Sequence, residues 1–139
     1  GGIYTSAVEA ALKNNGYVVG VDVDQNYIGV NGVAKDGYAY NPFITSAMKG
    51  LAESVNEALT DAMNNGWKFS ETYSGKETKL GAAENCVGLP MSTSKFTKFT
   101  QEQYDSMYAS IVDGTLAIDD SFDADVKPAV TTITVDYQS

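Results

Sequence analysis

Histidine is absent from this chain of 139 residues, and cysteine occurs once, as Cys86. The lack of histidine excludes serine and cysteine hydrolase sites built on a histidine base, together with most zinc and haem sites. A single cysteine cannot form an internal disulfide, so cysteine usage does not indicate the redox compartment. Long hydrophobic runs are also missing, since no stretch approaches the roughly 18 apolar residues of a membrane span.

Basic residues are few: 9 Lys and Arg stand against 18 Asp and Glu, for a net charge of −9. Nucleic acid is therefore excluded as an expected partner, because binding phosphates requires a basic face. Hydrophobic residues make up 43% of the chain and aromatic residues 11%, which argues against disorder. The length suits one domain with a hydrophobic core, and we expect residues 1–139 to form a single domain.

Helix and strand signals alternate along the chain. We expect helices over residues 3–15, 48–63 and 100–114, strands over residues 17–21, 43–45 and 129–137, a hairpin over residues 78–89 and an exposed loop over residues 26–42. Ser46 is the expected cap of the second helix, and Thr100-Gln101-Glu102-Gln103 is a capping box for the third. The apolar run at 17–21 is typical of a strand buried on both faces of a parallel sheet. The order predicts an α/β fold, a three-layer sandwich with a mostly parallel sheet.

The segment Asp22-x-Asp24-x-Asn26 resembles the opening of a calcium-binding loop. Such a loop needs glycine at its sixth position and glutamate at its twelfth, where this chain has Tyr27 and Val33. We therefore predict no metal site.

Asp22 directly follows the first predicted strand. Ligands of open α/β sheets bind beyond the carboxyl ends of the strands, so its carboxylate is expected at that edge. A carboxylate there can accept two hydrogen bonds from the vicinal hydroxyls of a sugar or ribose. The alternative is that Asp22 only caps a turn.

Lys49 falls in the first turn of the predicted second helix, again at a strand's carboxyl end. A cation there opposes the helix dipole and needs a compensating partner, either an anionic or carbonyl-bearing ligand or Asp22 itself. The alternative is a lysine that extends into solvent.

Gly1-Gly2 precedes the first helix, where backbone N–H groups can approach a ligand closely. Tyr4, at the start of that helix, can stack on a flat ring. The alternatives are frayed terminal glycines and a tyrosine that forms part of the core.

Several segments together resemble the basic membrane protein family. They are Gly1-Gly2, Ala10-Ala11, Val19-Gly20-Val21-Asp22-Val23-Asp24-Gln25, Thr45-Ser46-Ala47-Met48-Lys49, Cys86-Val87-Gly88-Leu89-Pro90 and Asp113-Gly114. The likeness extends over nearly the whole chain. Ile3-Tyr4 stands where the family has Thr-Gly, and the loop at residues 26–42 is longer than expected.

The resemblance implies a substrate-binding lipoprotein of an ABC importer with the type 1 periplasmic binding protein fold, in which two α/β lobes close on a ligand. This chain would be the carboxyl-terminal lobe, a piece of a longer protein. Asp22 would bind ribose hydroxyls of a purine nucleoside, with Lys49 assisting, Gly2 offering backbone contacts and Tyr4 available for stacking. The partners would be a nucleoside and a membrane permease, without a cofactor. The full-length protein would be extracytoplasmic, at the cell surface or in the periplasm, with a lipid anchor on its amino-terminal part.

Three alternatives stay open. A sugar- or flavin-binding member of the same fold would keep the architecture and change the ligand. A phosphoreceiver signalling domain also places acidic residues, Thr or Ser and Lys at the carboxyl edge of a sheet, although Lys49 follows Thr45 too closely for that pattern. An enzyme is disfavoured because no nucleophile stands beside an activating base, so we predict no catalytic residue.

Overall fold

The computed structural model describes residues 2–33 and 40–118. In these ranges four helices and three strands follow one another as α1 (Tyr4–Lys13), β1 (Val18–Asp22), α2 (Asn26–Val33), β2 (Phe43–Lys49), α3 (Leu51–Asn64), β3 (Val87–Gly88) and α4 (Gln101–Val112). The strand predicted at residues 129–137 lies outside the described residues, as does Gly1.

The three strands form one sheet in the order β1-β2-β3. β1 and β2 are parallel, and their register places Asp22 beside Met48, with an irregularity between Val18 and Val19. β3 runs antiparallel to β2 and pairs Val87 with Lys49. The described residues are therefore a mixed α/β structure with a mostly parallel sheet, as the sequence predicts.

One face of the sheet is closed by α1 and α2. Phe43, which is 1% exposed, lies at the centre of the core. Side chains from both helices, from β1 and from the segment before β2 surround it: Val8, Leu12, Val18, Ile28 and Tyr40. The Tyr40 hydroxyl lies 3.0 Å from the Gly16 carbonyl and 3.3 Å from the Ala11 carbonyl. These hydrogen bonds connect the carboxyl-terminal end of α1 to the core.

The opposite face of the sheet is open. Val19 is 61% exposed and Val21 is 44% exposed, so the prediction that this strand is buried on both faces is wrong for the described chain. The apolar stripe of α3 is open too, with Leu51, Val55 and Leu59 each at least 50% exposed. No described helix covers this face in the way that α1 and α2 cover the other.

The boundary between β2 and α3 differs from the prediction. β2 continues to Lys49, so Ser46 lies inside a strand and is not a helix cap. Gly50 precedes α3 and provides no side-chain cap. The run Thr-Ser-Ala-Met misled the prediction because a serine before apolar residues has the same appearance in a strand and at a helix start.

Two other predicted elements are also corrected. The predicted loop at residues 26–42 begins with helix α2, which its glycines concealed from a periodicity argument. The predicted hairpin keeps its turn, closed by a 2.8 Å hydrogen bond from Cys86 N–H to the Gly81 carbonyl. Its strand β3 pairs with β2 and not with residues 78–81.

Candidate functional site

Asp22 ends β1 in an unusual backbone conformation. Its φ is 73°, and the Val23 N–H donates to the Val21 carbonyl at 3.0 Å, which is the hydrogen bond of a three-residue γ-turn. A γ-turn with positive φ is rare and strained, and aspartate is one of the few residues with a side chain that tolerate this region. The turn redirects the chain sharply at the carboxyl end of the strand.

The segment after Asp22 is held against the closed face by Gln25. Its N–H donates to the hydroxyl of fully buried Ser46 at 3.0 Å, and its Oε1 accepts the Val21 N–H at 3.1 Å. Both bonds depend on Gly20, because an added Cβ would overlap Ser46 Oγ and lie 2.9 Å from Gln25 Oε1. These contacts hold the residues on both sides of Asp22 in the chain and so fix its position at the strand end.

Lys49 ends β2, next to β1. Its Nζ lies 2.8 Å from Asp22 Oδ1, and the side chains are 61% exposed for Lys49 and 37% for Asp22. The structure thus contains the ion pair that the sequence offered as one reason for a lysine here. Lys49 lies on a strand, however, and not in the first turn of a helix, so the predicted conflict with a helix dipole does not arise.

The ion pair keeps Asp22 ionised. The hydrogen bond from Lys49, reinforced by its charge, lowers the pKa of the Asp22 carboxyl below its ordinary value. Asp22 Oδ2 has no hydrogen-bond partner within the described part of the chain. A charged carboxylate with one free oxygen can therefore accept hydrogen bonds from a ligand.

A cavity of about 390 Å³ opens beside this pair. Its polar lining comes from several elements and comprises Asp22, Asp24, Lys49, Glu53, Asn85 and Tyr104. The sequence analysis did not identify Glu53, Asn85 or Tyr104. Asn85 lies within the predicted hairpin and adopts a left-handed φ of 56°, but nothing in its sequence context placed it near Asp22.

Asp24 has a structural role. Its carboxylate accepts the Asn26 N–H at 3.0 Å and the Thr93 hydroxyl at 2.7 Å. Asp24 therefore connects the loop after β1 to the segment that follows β3, and both of its carboxylate oxygens already accept hydrogen bonds. In that same segment the Lys95 ammonium group donates to the Phe43 carbonyl, and partial burial lowers the pKa of Lys95.

Gly2 and Tyr4 are not brought to this cavity, whose lining includes neither of them. Gly2 is exposed, and an added Cβ there would meet no atom within 4 Å. Tyr4 is 39% exposed at the start of α1. Of the four predicted binding residues, the structure brings together Asp22 and Lys49.

Neither a metal cluster nor a membrane helix occurs in the described ranges. No group of three or more His, Cys, Asp or Glu side chains among residues 2–33 and 40–118 is placed to hold a metal ion. None of the described helices combines the length and hydropathy needed to cross a membrane.

Comparison of the chain with models of protein families, with curated proteins and with solved structures finds no match.

Proposed function

We propose that this chain is the carboxyl-terminal lobe of an extracytoplasmic solute-binding protein of an ABC importer. In this proposal the α/β structure belongs to a three-layer sandwich, one lobe of the type 1 periplasmic binding protein fold. The protein binds a purine nucleoside between two lobes without turning it over and delivers it to a membrane permease. A lipid anchor on the amino-terminal part holds it at the cell surface or in the periplasm.

The observation that supports this proposal is the Asp22–Lys49 pair at the carboxyl edge of two parallel strands. This is the edge where open α/β sheets bind ligands. The pair also lies within the two segments that resemble the basic membrane protein family, residues 19–25 and 45–49. Asp22 Oδ2 accepts a ribose hydroxyl, and Lys49 orients the carboxylate through Oδ1.

The ligand contacts on this lobe are only part of a complete site. The second lobe closes over the ligand by a hinge motion and supplies the remaining contacts. An isolated lobe therefore binds weakly, with a dissociation constant in the millimolar range.

Titration of the isotope-labelled chain, followed by NMR, tests the proposal. Purine nucleosides, riboflavin and ribose are added separately at millimolar concentration. With a nucleoside we expect concentration-dependent shifts at Asp22, Lys49 and Tyr104. Shifts with riboflavin or ribose alone would retain the site and replace the ligand by a flavin or a sugar.

The matched variants are Asp22→Asn and, as control, Asp105→Asn on the exposed surface of α4. Asp22→Asn should weaken nucleoside binding by about tenfold or more, because it removes a charge-assisted hydrogen bond. Asp105→Asn should leave the titration unchanged. Equal affinity of the two variants for the nucleoside would show that Asp22 is not part of the site. If free base appears in the NMR sample during the titration, the protein hydrolyses the nucleoside and is an enzyme.

The Asp22–Lys49 pair also supports a second candidate, a phosphoreceiver domain, in which a lysine contacts the aspartate that is phosphorylated. Against it, Thr45 is buried and its hydroxyl lies 2.7 Å from Ser94 Oγ, away from the strand end. Incubation with acetyl phosphate and magnesium distinguishes the two candidates. A mass increase of one phosphoryl group on Asp22 or Asp24 would favour the phosphoreceiver.

A further inference from the structure

A second cavity, of about 680 Å³, lies between the open face of the sheet and α4. We call it the apolar cavity. Its walls include Val21 and Ala47 from the sheet, Leu89 from the segment after β3, and Met107 and Ile111 from α4. The surface that a sheet normally buries against its next layer is here exposed to solvent.

The polar groups at the wall of the apolar cavity already have protein partners. The Tyr104 hydroxyl accepts the Leu89 N–H at 3.1 Å. The Tyr108 hydroxyl lies 3.0 Å from the Val87 carbonyl, and Lys49 is paired with Asp22. Small-molecule sites combine an apolar wall with a few free polar groups that orient the ligand. Among the described residues, the apolar cavity is lined by only these three polar or charged side chains, each already bonded to the protein, so an apolar chain segment fits it better.

The chain itself leads into the apolar cavity. Ile118, the last described residue, is part of its lining, and residues 119–139 follow. Within them, residues 129–137 alternate two sets of side chains, and one set contains Ile133 and Val135. Starting from Ile118, the intervening residues can span about 35–40 Å when extended, so this segment can reach any part of the cavity.

We propose that residues 129–137 bind in the apolar cavity of the same chain, with Ile133 and Val135 directed toward the open face of the sheet. The set that contains Thr132 and Thr134 then faces solvent. This alternation matches a strand with one buried and one solvated face. The inference concerns how the sheet is covered and does not depend on the ligand proposed for Asp22.

The first test uses the unsubstituted chain with labelled methyl groups. We expect nuclear Overhauser effects between the methyl groups of Ile133 or Val135 and those of Val21 or Ile111. The absence of these effects would overturn the proposal. Effects that occur only between differently labelled chains in a mixed sample would assign the cavity to a second copy and would also overturn it.

The second test uses two double variants of the full chain that differ only in which set receives the charge. Ile133→Asp with Val135→Asp should increase the binding of an apolar fluorescent dye severalfold, because it exposes the cavity. Thr132→Asp with Thr134→Asp, the matched control, should leave dye binding unchanged. Equal dye binding by the two variants would contradict the proposal. If the first variant does not fold, the methyl contacts of the unsubstituted chain decide the question.

Discussion

Replacement of Gly20 by alanine tests the packing that positions Asp22. The added Cβ would overlap the Ser46 hydroxyl, which is fully buried, and would lie 2.9 Å from Gln25 Oε1. Neither neighbour can move freely, because the same hydroxyl accepts the Gln25 N–H and the same Oε1 accepts the Val21 N–H. The substitution therefore strains the core and breaks at least one of these hydrogen bonds.

The expected loss of stability has two parts. Overpacking of a core by one methyl group costs about 1–3 kcal/mol, and loss of a neutral hydrogen bond costs about 0.5–1.5 kcal/mol. We expect Gly20→Ala to lower the free energy of unfolding by roughly 2–4 kcal/mol, measured by urea denaturation followed by circular dichroism. Gly16→Ala is the matched control, because its Cβ would make only an ordinary 3.6 Å contact with the Ala11 carbonyl. Its stability should change by less than about 1 kcal/mol.

A double-mutant cycle isolates the contact between Gly20 and Ser46. Ser46→Ala alone leaves the Gln25 N–H without its acceptor and should cost about 1–3 kcal/mol. In the Gly20→Ala background the same change also removes the overlapping oxygen, so the combined loss should be smaller than the sum by about 1–2 kcal/mol. Additive losses, or a Gly20→Ala protein as stable as Gly16→Ala, would refute the reasoning.

Three further predictions concern electrostatics and capping. The pKa of Asp22 is lowered in the folded chain, so the stability that the ionised Asp22 carboxylate contributes should be complete above about pH 5 and should disappear as the pH falls below 4. The urea midpoints of the unsubstituted chain and of Asp22→Asn should therefore converge in acid. Thr100→Ala should cost about 1 kcal/mol in the free energy of unfolding because it removes the capping box of α4, whereas exposed Thr97→Ala should have no effect. Lys95 and Lys98 are both exposed, but Lys95 donates to backbone carbonyls. Lys95→Ala should therefore cost about 0.5–1.5 kcal/mol, whereas Lys98→Ala should change stability little; equal urea midpoints for these two variants would contradict the role given to Lys95.

Local chemistry made several elements predictable. The capping box at Thr100 is present, with the Thr100 hydroxyl accepting the Gln103 N–H at 3.2 Å. Asn15 follows the end of α1 and adopts the left-handed conformation that asparagine favours at this position, with a φ of 57°. The carboxyl-edge rule predicted that Asp22 and Lys49 would lie at the same end of the sheet, since it depends only on strand order and direction.

What the sequence left undetermined depends on tertiary contacts. The Ser46 hydroxyl could serve a helix end or a loop, and only the position of Gln25 decides between them. Asn85 reaches the cavity through the path of the chain between α3 and β3, for which no local pattern exists. Glu53 lies there because β2 continues to Lys49 and α3 begins at Leu51, a boundary that the sequence did not predict. The exposed stripe of α3 has helical periodicity, but periodicity does not specify which surface covers it.

The backbone at Asp22 also determines which substitutions the position can accept. Glycine adopts a positive φ with ease, and asparagine and aspartate tolerate it better than other residues; of these three, only aspartate can form an ion pair with Lys49. In the genetic code, asparagine and glycine are both one base change away from aspartate. Single-base mutation can thus remove the charge while preserving the turn, so loss of the ion pair and loss of the fold are separable events at this position.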